Sequence, residues 1–223
     1  MLRFMNDSLA DRAAHSARTA ACTALAEALT HVGRLLWVGS HVLRERRTEG
    51  VALTVEMAAE AATGAALLFD QQLWYAGAGV VRQLIEAQYL VFLFAGDLAL
   101  AEEWLMADDR SLRKWWSPAS MRQRSQRRFQ DAEYRVHCEM GGHPVPKGRR
   151  LLKDHSFPLD RRSGWADLAQ HATAIWRDVE TCVKALGYDS ELEAPICLAA
   201  HNAIAIWEER DPLSRRIVVP IED

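Results

Sequence analysis

Apolar residues recur along most of this chain at the three- and four-residue spacing of helix faces, and no run of alternating apolar and polar positions long enough for a strand interrupts them. The densest run, Leu73 to Gly96 (LWYAGAGVVRQLIEAQYLVFLFAG), predicts a helix that is apolar nearly all round and therefore sits inside a bundle. Yet it carries Arg82 and Glu86 one turn apart and Tyr89 a further turn along, so these three share a face. A buried Arg or Glu costs several kcal/mol unless its charge is paired. The spacing lets Arg82 and Glu86 pair with each other or with a group on a neighbouring helix, and this marks one polar site.

The rest of the chain reads as helices around that run. Asn6 to Arg47 predicts one long helix or two in line, opened by the cap-like Ser8-x-x-Asp11 and closed by Arg44, Arg46 and Arg47 before Gly50. Val51 to Phe69 is a second, Ala-rich helix, and the short Asp70-Gln71-Gln72 break makes it an antiparallel neighbour of the central one. Asp97 can cap a helix from Leu98 to Ala107 that extends towards Trp115. Ser117-Pro118 then restarts a helix that runs to Met140 and stops at Gly141-Gly142. His143 to Arg162 is punctuated by Pro and Gly and reads as a long basic loop, and loops of that length tend to be used. Trp165 to Leu186 and a last helix from Ser190 or Ala194 to Arg210 complete the chain, with Pro195 tolerable only in a first turn. The expectation is one all-α domain over 1–223, a bundle of about six or seven helices, with 143–162 as a loop within it.

Charge adds one feature. The net charge of -3 conceals a belt from Arg110 to Arg162 with 14 Lys/Arg against 5 Asp/Glu, a local +9 that leaves -12 elsewhere. A basic belt on an acidic body suits a surface that meets phosphates, or is a solvated face. The four cysteines are scattered without a CxxC pair, which points away from a disulfide framework and towards a reducing, cytoplasmic setting. No secretory h-region opens the chain, and Arg82 and Glu86 interrupt its longest apolar helix, so no membrane span is expected.

A second polar group lies in YRVHCEMGGHP, where Tyr134, His137 and Cys138 share a helix face and His143 follows the Gly-Gly stop. Packed against Arg82 and Glu86, this face would join an acid/base imidazole to a carboxylate and a charge-stabilising guanidinium. Those groups suffice for metal-independent cleavage of RNA through its 2'-hydroxyl. The same residues could equally form a buried network that pins two helices and catalyses nothing. His137, Cys138, His143 and His155, with Cys197-x-x-x-His201 elsewhere, are zinc-type ligands whose spacing matches no common zinc framework, and paired Glu-x-x-His motifs of a di-iron bundle are absent. No metal or cofactor is expected. Phosphate-loop, nucleophile-elbow and H-E-x-x-H motifs are also absent.

Arg82-x-x-x-Glu86 in an apolar helix, followed by Tyr134-x-x-x-Cys138-x-x-x-x-His143-Pro144, resembles the bacterial DUF5677 family, itself similar to the HEPN helical domains. The resemblance implies a HEPN-like bundle, Arg82, Glu86, Tyr134 and His143 as site positions, and Cys138 where the family has Ser. It also implies RNA or a nucleotide as partner, a homodimer, and an endoribonuclease of toxin-antitoxin or phage-defence type. His143 would act as acid/base, Arg82 would stabilise charge, Glu86 would orient it and Tyr134 would donate a hydrogen bond. Arg128, Arg135, Lys147, Arg149 and Arg150 would guide substrate. One departure is the seven residues between Arg135 and His143, wider than the Arg-His spacing of HEPN ribonucleases. A non-catalytic regulatory or interaction bundle is the alternative.

Overall fold

The long N-terminal pattern folds as α1 (Leu9–Leu43) and turns back at once as α2 (Arg46–Asp70), followed by the central α3 (Trp74–Gly96). Four short helices come next, α4 (Ala99–Leu105), α5 (Asp109–Trp115), α6 (Pro118–Arg124) and α7 (Asp131–His137). A π-helical turn at Cys138–Gly142 and a 3-10 turn at Pro146–Leu151 lead to α8 (Pro158–Ala185), and a 3-10 turn at Asp189–Glu193 leads to α9 (Pro195–Arg210). This computed structural model describes residues 9–126, 128–152 and 158–215, and no strand occurs among them.

The all-α class is as expected, but the count of six or seven helices is not: nine α-helices of seven residues or more occur among the described residues. The extra helices come from breaks that periodicity does not register. Asp108 accepts the Ser111 amide at 2.8 Å and starts α5 as a separate helix. The helix expected from Pro118 to Met140 ends at Arg124, where Gln126 takes a left-handed φ of 52° and the Ser125 hydroxyl donates to the Arg122 carbonyl at 2.6 Å. Beyond this break Phe129 is buried, with its ring 4.3 Å from Tyr89 and 5.3 Å from Phe92. Burying that ring outweighs the local preference for continuous helix.

Two other boundaries move for similar reasons. Arg44, at φ 54°, breaks the first pattern, and α2 starts at Arg46, five residues before the expected start. Gly50 therefore lies inside α2, where its missing Cβ lets the backbone of Ala101 approach in van der Waals contact. Pro195 occupies the first turn of α9, the one place it fits. Helix α8 begins at Pro158, inside the span expected as loop. Ser8, His155 and the IVVPIED tail lie outside the described residues.

Helix α1 packs along α2, α8 and α9, while α3 is held between α2 and α8. Leu29 and Leu36 of α1, Val55 of α2, Leu84 and Phe94 of α3 and Trp176 of α8 are wholly buried where these helices meet. By length and composition α2 and α3 could each cross a membrane, and half of the most apolar window of each is covered by other helices. The segment 118–152 lies across α3, with α6, α7, the π-helical turn and the 3-10 turn all touching it. This crossing builds the polar site.

Candidate functional site

Helix α7 carries Tyr134 onto the polar face of α3. The Tyr134 hydroxyl donates to Glu86 Oε1 at 2.7 Å, and Arg82 Nη2 donates to the same oxygen at 3.0 Å and to the Tyr134 hydroxyl at 3.1 Å. All three side chains are half-buried, with Arg82 28% and Glu86 31% exposed. Burial and the hydrogen bond to Glu86 push the Tyr134 hydroxyl up to about 12, so it keeps its proton near neutral pH. The hydrogen bond with Tyr134, with the nearby Glu86 charge, holds Arg82 still more firmly in its charged form. The Arg122 guanidinium lies 4.2 Å from the centre of the Tyr134 ring and pairs with Asp131 at 2.7 Å. Tyr89 is fully buried behind the triad, its ring 6.1 Å from that of Tyr134, and burial raises its pKa above the usual phenol range.

The expected α7 face divides between two neighbours. Tyr134 reaches α3, whereas His137 turns towards α8, where its Nδ1 lies 3.3 Å from Asp167 Oδ2. His171, one turn further along α8, places Nε2 3.3 Å from Asp167 Oδ1, and its Nδ1 lies 2.7 Å from Gln88 Oε1 of α3. The His137 and His171 rings meet edge to face with centroids 5.3 Å apart. Glu133, one turn before His137, joins them: donor atoms of Glu133, His137 and His171 lie within 4.8 Å of one another. Burial opposes charge on Asp167, yet His137 and His171 hold its carboxyl below the usual range. Burial likewise opposes charge on His171, but Asp167 draws its pKa upward, while burial lowers that of His137.

Sequence reasoning missed this second cluster because it looked for Glu-x-x-His pairs. The signal present is a carboxylate followed by His four positions later, Glu133-x-x-x-His137 and Asp167-x-x-x-His171, which also stacks the two side chains on one helix face. That spacing alone does not select the pair, because Glu27-x-x-x-His31 shares it. What singles out the two on α7 and α8 is that the fold places them face to face.

His143 lies apart from both clusters in its bonding. Its amide donates to the Cys138 carbonyl at 2.9 Å, and its imidazole is exposed with no hydrogen-bond partner among the described residues. Cys138 is half-buried. Of the expected substrate guides, Arg128 lies over the Phe92 ring at 4.6 Å and 3.7 Å from Asp178, and Lys147 pairs with Glu139 at 2.9 Å. Arg135, Arg149 and Arg150 are exposed. Elsewhere in the belt Arg124 covers Trp116 at 4.6 Å and Lys114 covers Trp115 at 4.3 Å, so several of its charges are spent within the fold. No family model, curated protein or solved structure matches the chain.

Proposed function

We propose that this chain is a non-catalytic regulatory or interaction bundle in which Arg82, Glu86 and Tyr134 fasten the 118–152 segment to α3. The observation that carries this reading is the saturation of one carboxylate oxygen: Glu86 Oε1 accepts from both Tyr134 and Arg82, and those two also bond to each other. An acid/base centre needs a group that exchanges a proton near neutral pH within bonding reach of the reacting atoms. Tyr134 at about 12 and a doubly bonded Arg82 do not supply one, and the exposed His143 imidazole makes no bond to either. Within the belt, the stacking of Arg122, Arg124 and Arg128 on aromatic rings and the pairing of Lys147 with Glu139 support a role in holding the segment in place.

Incubating the purified full chain with single-stranded RNA at low and moderate salt tests the reading, since phosphate-driven engagement is strongest at low salt. The expected result is no cleavage at either salt, by the parent chain or by His143→Ala. Glu86→Ala, which strands Tyr134 and Arg82 at about 1–3 kcal/mol, lowers the melting temperature by several degrees. Cleavage by the parent chain that disappears in a folded His143→Ala protein would overturn the reading in favour of a ribonuclease.

A further inference from the structure

We propose that Glu133, His137 and His171, with Asp167 beside the two imidazoles, form a binding site for one divalent cation of the zinc type, independent of the Arg82 triad. Four side chains with nitrogen and oxygen donors come from matching positions on two helices, a carboxylate and a His one turn apart on α7 and again on α8, and the two His rings meet edge to face. His137 Nδ1 and His171 Nε2 approach the two oxygens of one carboxylate at 3.3 Å each, so both ring nitrogens converge on the space around Asp167. Glu133 approaches the imidazoles from the α7 side, with its donor atom and one from each of them within 4.8 Å of one another. Ligands at zinc distances stand about 3.3 Å apart in a tetrahedron, so the Glu133, His137 and His171 donors, within 4.8 Å of one another, would draw together around the ion.

The surroundings match what a metal-bound imidazole requires. Gln88 Oε1, 2.7 Å from His171 Nδ1, is placed to accept a hydrogen bond from an Nδ1–H, which leaves Nε2, 3.3 Å from Asp167 Oδ1, as the nitrogen a cation would take in exchange for its proton. An outer hydrogen bond of this kind fixes the tautomer and orientation of metal-ligating histidines. The ligands sit where access is restricted: the His137, Asp167 and His171 side chains are 12%, 15% and 9% exposed. His137 is also the last residue of α7, directly before the π-helical turn, and single π turns are frequent at functional sites. Two imidazoles with two carboxylates suit zinc, cobalt or iron(II) better than the hard cations, which favour all-oxygen sites.

The test uses the untagged full chain, stripped with EDTA and titrated with Co2+ while visible absorption is recorded. The expected result is one Co2+ per chain with the intense d–d bands of a low-coordinate site, displaced by stoichiometric Zn2+. His137→Ala abolishes those bands, and Gln88→Ala weakens binding by about 10–100-fold through the lost outer hydrogen bond. Should His137→Ala fail to give the parent far-UV dichroism, Glu133→Gln, at a half-buried position, decides the matter by weakening binding with the fold intact. A spectrum that remains that of hydrated Co2+, or bands and affinity unchanged in folded His137→Ala or Glu133→Gln, would overturn the site and leave the four residues as a hydrogen-bonded ion-pair cluster.

Discussion

At the scale of single residues, the most deeply buried charge pair among the described residues ties α1 to the segment that follows α9. Arg18 Nε donates to Asp211 Oδ2 at 2.6 Å, with the two side chains 3% and 1% exposed, and Trp207 Nε1 donates to the same oxygen at 2.9 Å. Removing one member leaves an uncompensated charge in the interior, and such losses run to about 3–5 kcal/mol. Replacing Asp211 with Asn should therefore lower the urea midpoint sharply at pH 7. Burial opposes ionisation of Asp211, but the hydrogen bonds from Arg18, the Leu213 amide and Trp207 hold its carboxyl below the usual range. A depressed folded pKa gives stability that is complete above the unfolded value, roughly 3.9, and is lost as pH falls through the folded value. The stability gap between the parent chain and Asp211→Asn should consequently narrow below about pH 4, measured by urea unfolding at a series of pH values.

At the scale of elements, helix existence was easier to read than helix ends. Periodicity marked α1, α2, α3, α8 and α9 because each buries a continuous apolar face. It missed the divisions within 98–140, because these depend on the Asp108 cap, the left-handed Gln126 and the burial of Phe129 against α3, all local or tertiary choices that a period does not encode. The triad was partly legible: Arg82 and Glu86 declared themselves by spacing and Tyr134 by sharing a face with His137. That His137 would turn away towards Asp167 and His171 depended on where the fold sets the end of α7 beside α8, which no spacing encodes. Gly50 shows the same limit. Read as a helix stop, it is a contact where a Cβ would strike the Ala101 carbonyl. Gly50→Ala should destabilise the chain in thermal melts although Ala is the better helix former by about 1 kcal/mol, because a backbone group cannot yield as a side-chain tip can.

Seen as a whole molecule, the long helices α1, α2, α3, α8 and α9 make the frame, and 118–152 is a polar, basic strap laid across one of its faces. Where the strap crosses the start of α3, Gly141 meets Ala78 and Gly79 so closely that neither backbone leaves room for a side chain. One turn further along α3 the Arg82–Glu86–Tyr134 triad secures α7, and beyond it Gln88 joins the α7–α8 cluster. The strap is thus fixed at a steric contact, a charge-assisted network and a histidine cluster in succession. The middle one acts as the tertiary fastening of α7 to α3. The most direct measurement is a double-mutant cycle in urea unfolding with Glu86→Gln, Tyr134→Phe and both together. A coupling of about 0.5–3 kcal/mol between the two positions is the predicted result. Strictly additive effects would contradict the account, because they would mean that the hydroxyl and the carboxylate do not hold α7 to α3.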